Sequence, residues 1–138
     1  MSAAENKKLL QEIFTDLANG DSRKFVDSMA DDFTWIVAGA TNWSQTFRGK
    51  QAVLTELFGL LQTFLSGPVL TTADRFIADE DYVAVEARGQ STARNGRPYN
   101  NRYCFVFRVA DGKLREVKEY MDTELASSVL SSHAAHSA

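Results

Sequence analysis

Residues 82–93 read YVAVEARGQSTA, residues 99–110 read YNNRYCFVFRVA and residues 113–121 read KLREVKEYM. The first two are rich in Val, Phe and Tyr, and all three alternate in character as half-buried strands do. Arg94-Asn95-Gly96-Arg97 joins the first to the second, and Asp111-Gly112 joins the second to the third. Asn-Gly and Asp-Gly tolerate the positive φ of a tight hairpin, so the three strands run antiparallel. Val69 to Ala78 reads as a further strand before them.

Upstream the period changes from two to that of a helix. Leu9, Leu10, Ile13, Phe14 and Leu17 form one apolar stripe in a helix over residues 2–19, opened by Ser2 and Glu5 at capping-box spacing. Asp21 is a good cap for a short second helix that buries Phe25, Val26 and Met29. Phe33 to Val37 reads as a strand, and Ala38 to Arg48 as an aperiodic loop. Val53, Leu54, Leu57, Phe58, Leu61 and Phe64 set a third helix over Lys50 to Leu65, ended by Gly67 and Pro68. Asp122 caps a short last helix around Leu125 to Leu130. Helices first and strands after give an α+β domain, three N-terminal helices on a curved antiparallel sheet. It forms one domain over residues 1–130, followed by a small, polar C-terminal tail over 131–138.

The chain has 138 residues, 44% of them hydrophobic, with a formal net charge of −3. That balance lacks the basic field a nucleic-acid binder needs. No apolar run reaches the ~20 residues that span a bilayer. A polar N-terminus and a single cysteine, Cys104, point to the cytoplasm.

The element order, together with Gly112-Lys113-Leu114 running into Glu119-Tyr120-Met121-Asp122, resembles the SnoaL-like, ketosteroid isomerase-related branch of the nuclear transport factor 2-like superfamily. The resemblance covers residues 2 to 130 and implies a cone-shaped fold with a pocket inside the curl of the sheet. It implies a small apolar guest of polyketide, terpene or steroid type, no cofactor, and a homodimer formed through the open sheet face. Val83, Val85, Ala87 or Val106 are candidates for that patch. Members include cyclases, isomerases and hydrolases, so the reaction stays open among these, with a non-catalytic binding or dimerisation module as the alternative.

Both histidines, His133 and His136, fall in the tail, so acid-base work in the body rests on Asp, Glu or Tyr. Glu119 shares its strand face with Val117 and Met121, the setting for a carboxyl whose pKa is raised. In the related limonene epoxide hydrolase an Asp-Arg-Asp set occupies comparable strand positions. Glu119 falls on the last-strand Asp, Glu86 on the Arg and Arg88 on the other Asp, so two charges are exchanged. The catalytic expectation is therefore a trio in which Arg88 bridges Glu86 and Glu119 at the pocket floor. The competing reading is a surface ion-pair ladder on the face opposite Val83, Val85 and Ala87. Pocket-lining candidates are Tyr103, Asn101, Trp43, Trp35, Phe58 and Phe105, with Trp43 at the mouth. Asp122 is expected to act as a helix cap rather than as a catalyst.

Overall fold

The computed structural model describes residues 1–130. Helix α1 spans Ala3–Leu17 and is opened by a reciprocal cap in which Ser2 Oγ accepts from Glu5 N–H and Glu5 Oε1 accepts from Ser2 N–H. Leu10, Ile13 and Phe14 are its buried stripe. Helix α2 covers Arg23–Ser28. Asp21 does accept a backbone hydrogen bond there, from Arg23 N–H at 3.1 Å, although Ser22 holds the cap position.

Strand β1, Met29–Val37, begins four residues before the expected Phe33. Its pairing with the last strand shifts between Met29 and Thr34, and this irregularity leaves Asp31 and Asp32 exposed within a strand. Strand β2, Thr46–Arg48, lies inside the stretch expected as a loop. It forms by pairing with β1, with Phe47 opposite Trp35. Next come α3 (Lys50–Ala52), a π-helical turn (Val53–Leu57) and α4 (Phe58–Phe64), one after another along the expected third helix.

Strand β3 spans Leu65–Asp79, earlier and longer than expected, and takes in Gly67 and Pro68. It is an edge strand whose register with its neighbour slips between Ser66 and Leu70, the kind of site where a strand accepts proline. Strands β4 (Tyr82–Ala93), β5 (Arg102–Ala110) and β6 (Lys113–Met121) follow. Helix α5, Thr123–Val129, is capped by Asp122, whose Oδ1 accepts from Leu125 N–H at 3.1 Å. The sheet order is β2-β1-β6-β5-β4-β3, antiparallel throughout except for the parallel pair β1–β6. This is an α+β fold of the nuclear transport factor 2-like type, with the helices against one face of the sheet. No described helix is long and apolar enough to cross a membrane.

Val83, Val85 and Ala87 do not form an outer patch. They are 0%, 0% and 4% exposed and belong to the core, together with Phe107, Val109, Leu114 and Val117. The outer face of β4 carries Tyr82, Ala84, Glu86 and Arg88 instead, because a strand must alternate. Phe107 shows how dense the inner face is, with the rings of Phe14, Phe25 and Phe105 all within 6.3 Å of its own, centroid to centroid.

Phe107→Ala is expected to lower stability in urea by about 3–5 kcal/mol. On the opposite face of the sheet, Glu86→Ala should change stability by less than about 0.5 kcal/mol. Equal effects of the two substitutions would overturn the assignment of faces.

Candidate binding cavity

The curl of the sheet and the helices over it form a partly open cavity of about 380 Å³. Phe14 and Leu17 reach it from α1, Trp35 and Val37 from β1, and Leu57, Phe58 and Leu61 from the helical stretch after β2. Tyr103, Phe105, Phe107, Glu119 and Met121 form its sheet wall. Edge-to-face contacts set the aromatic walls: Trp35 lies 5.7 Å from Phe58 and 6.2 Å from Phe105, centroid to centroid. Trp43 packs edge-on against Phe64 at 5.6 Å and is 7% exposed, which explains a large aromatic in a segment without period. The π turn adds a residue to the helix just ahead of Phe58, and Leu57, Phe58 and Leu61 all face the cavity.

Glu119 is the one Asp, Glu, Lys, Arg or His side chain among the described residues that line this space. Its place follows from the alternation of β6, where Val117 and Glu119 turn inward while Lys118 and Tyr120 turn out. Phe105 stands opposite it on β5 and Val37 on β1. Trp35 Nε1–H donates to Glu119 Oε1 at 2.8 Å. No ion pair among the described residues involves Glu119. Burial pushes its carboxyl pKa up to about 7, with the Trp35 hydrogen bond pulling the other way.

Two phenols share the cavity with this carboxyl. Tyr99 is 4% exposed and Tyr103 is partly buried. Burial, more than any neighbour, raises the pKa of each, and the Glu119 charge adds to the rise in both. Asn101 fixes how Tyr99 is bonded. Asn101 Oδ1 accepts from the N–H groups of Arg102 and Asp122, at 2.7 and 3.1 Å, so the amide has one orientation. Its Nδ2 then donates to Tyr99 Oη at 2.8 Å and to the Asp122 carbonyl at 3.1 Å. The Tyr99 hydroxyl receives one proton and directs its own at Met121 Sδ, 3.9 Å away.

Of the expected pocket residues, Tyr103, Trp43, Trp35, Phe58 and Phe105 line the cavity, and Asn101 stands behind it as a support for Tyr99. The expected trio does not assemble. Glu86 faces outward, 3.6 Å from Arg75, and Arg88 faces outward, 3.1 Å from Asp74, with these side chains between 46% and 67% exposed. Alternation along β4 turns residues 83, 85 and 87 inward and residues 86 and 88 outward, so the sheet itself separates Arg88 from Glu119. Such exposed pairs contribute little stability. Cys104 lies on the same outer face, where partial burial and the Glu86 carboxylate raise its thiol pKa. His133 and His136 lie outside the described residues, and within those residues no three His, Cys, Asp or Glu side chains are grouped to hold a metal ion.

Tyr99 and Gly89 also line the cavity and were not among the expected site residues. Tyr99 precedes β5, but its N–H still donates to the Ser91 carbonyl at 2.8 Å, and alternation carried back from Phe105 and Tyr103 puts it on their face. Gly89 sits in mid-strand, away from any turn.

Solved structures with this fold cover almost the whole chain. A nuclear transport factor 2-like protein of unknown function from Burkholderia pseudomallei superposes with a TM-score of 0.78 at 19% identity, over 95% of this chain and 99% of that one. A candidate SnoaL-like polyketide cyclase from Jannaschia sp. gives 0.75 at 16% identity, over 94% and 93%. TerC, co-crystallised with polyporic acid, gives 0.74 at 17% identity, over 91% and 97%. No curated protein matches the chain. At these identities the likeness is one of fold. The sequence itself carries more, because residues 10–117 match the model of the SnoaL-like domain, and the chain therefore belongs to the SnoaL-like family.

Proposed function

We propose that the cavity binds a small, uncharged, largely apolar molecule and that Glu119 takes a proton from it and returns it. The overall change would be an isomerisation or a ring closure that uses no cofactor. The observation that carries this reading is a carboxyl of pKa about 7 inside an aromatic cavity, bonded to a neutral N–H rather than to a cation. Near neutral pH such a group is present in both forms, which suits an acid-base catalyst. In the ionised form Glu119 would remove a proton from a carbon beside a carbonyl. The electrons move to the carbonyl oxygen, where a tyrosine hydroxyl donates a hydrogen bond. The neutral acid then gives the proton back at a second carbon. Fold neighbours named as a candidate polyketide cyclase and as a protein crystallised with polyporic acid support a small-molecule ligand.

A neutral bicyclic ketone, 2-tetralone, tests the reading in deuterium oxide. Deuterium uptake beside the carbonyl should exceed the buffer rate and rise as pH passes through 7. Glu119→Gln should reduce this excess by at least ~100-fold while binding the ketone as well as the parent. Equal exchange by both proteins removes Glu119 from the chemistry. Binding without exchange would favour a ligand carrier.

The same burial makes stability depend on pH. The Glu119 pKa rises from 4.5 to about 7 on folding, so its neutral form is the one the fold favours. Its contribution is fully present below pH 4.5 and is lost as pH rises through 7. At pH 8 Glu119→Gln should therefore be more stable than the parent by up to about 3 kcal/mol, with the advantage fading to nothing near pH 4. Thermal melts from pH 4 to 8.5 measure this, and a constant difference would contradict the burial of the carboxyl.

A further inference from the structure

Gly89 lies in the middle of β4, where a glycine weakens a strand and normally has a reason. Its backbone supplies none. Its φ is not positive, it pairs regularly with Thr71 on β3, and its N–H donates to the Asn101 carbonyl at 2.8 Å. The reason is space. A Cβ at this position would stand 3.1 Å from Tyr103 Cε2 and 3.4 Å from Tyr103 Oη. Tyr103 faces Ala87 across the β4–β5 pair, and its ring leans diagonally onto the bare backbone two residues further along β4. The ring also stacks on Phe105, with centroids 5.0 Å apart and planes 17° from parallel. Held by Phe105, a ring pushed off Gly89 moves into the cavity that both residues line.

We propose that Gly89 is a specificity-determining residue of this cavity: its missing side chain seats the Tyr103 ring in the wall and so sets how long a ligand the cavity admits. The inference rests on the cavity being a ligand site, and is independent of whether Glu119 moves a proton. A methyl at position 89 would act through Tyr103, shortening the cavity at that end and shifting the hydroxyl relative to Glu119. Long, flat, uncharged guests would lose most, and short ones little.

Two neutral fluorescent probes of different length make the test, N-phenyl-1-naphthylamine and 2-naphthol. They are titrated into the parent, Gly89→Ala, Tyr103→Leu and the double variant. Gly89→Ala should weaken the longer probe by about tenfold, the scale of one misplaced methyl in an apolar site, and change the shorter by less than about twofold. In the Tyr103→Leu background the same substitution should have no effect on either probe. An equal loss in both backgrounds, or none in the parent background, overturns the proposal, as does a parent that binds neither probe. If Gly89→Ala fails to fold, the double variant decides: restored folding when Leu replaces Tyr103 supports the seat, and no rescue refutes it. Failure of deuterium exchange with Glu119 intact would leave this pattern unchanged, so the two readings fail separately.

Discussion

Leu10, Ile13 and Phe14 of α1 are buried against the inner face of the sheet, and the sheet bends to keep them covered. Phe14 meets Phe76 of β3 and both Phe105 and Phe107 of β5, so three aromatic contacts from two strands converge on one helical residue. The bending is visible where the strand registers slip: in β3 between Ser66 and Leu70 and again between Ala73 and Arg75, and in β6 at Arg115, opposite the Arg108–Val109 step of β5. Each irregularity adds local twist, and together they turn an open sheet into a trough. α1 packs against β3 and β4. The rest of the trough is left to short helical segments, of which α2 buries only Phe25 and Ser28 and α4 buries no residue. They roof the space without filling it, and the cavity is what remains.

That geometry decides what a polar residue on the inner face experiences. Glu119 occupies an inward position on β6 between Phe105 and Val37, far from the ion pairs of the outer face. A leucine there would bury apolar surface with no charge to desolvate. The carboxyl instead loses about 3 kcal/mol at alkaline pH, a sizeable part of the 5–15 kcal/mol that holds an ordinary domain folded. A residue that departs from local packing logic in the wall of a cavity is the kind of departure expected of a functional position.

Much of this was legible from periodicity. The α1 stripe, the two hairpins, the β4 and β6 limits and the Asp122 cap follow from spacing and turn chemistry alone. Strand β2 was not legible, because Thr46, Phe47 and Arg48 are extended only by pairing with β1, a contact between segments that local pattern cannot report. The start of β3 was hidden by Gly67 and Pro68, which end a helix in most contexts and here lie in an irregular edge strand. The Glu86-Arg88-Glu119 trio failed for a different reason. Alternation put Val83, Val85 and Ala87 on one face of β4 and Glu86 and Arg88 on the other, and the apolar face is the inner one. The positional analogy with a relative argued against that alternation, and the alternation held. The face of Tyr99 follows from alternation with Tyr103 and Phe105, but its hydrogen bond did not, since the Asn101 amide that donates to it is oriented by two backbone N–H groups from separate elements.

The absence of a cation among the described lining residues constrains the chemistry proposed for Glu119. A base that ionises in an apolar cavity is strengthened by the same desolvation that makes its charge unfavourable. When it removes a proton the charge is moved, not created: the carboxyl becomes neutral and the ligand oxygen becomes negative within the same walls. The penalty for one buried anion is then present on both sides of the step and largely cancels from the barrier. What distinguishes the two sides is hydrogen bonding. Glu119 has the Trp35 N–H, and a ligand oxygen at the opposite side of the aromatic box would have the Tyr103 or Tyr99 hydroxyl. Raised phenol pKa values keep both hydroxyls protonated at neutral pH, so they serve as donors and not as competing bases. One carboxyl with neutral donors favours a proton that leaves and returns by the same group, as in isomerisation or ring closure. Splitting a bond with water calls for a base and an acid at two places at once, and this lining offers only one ionisable carboxyl for them.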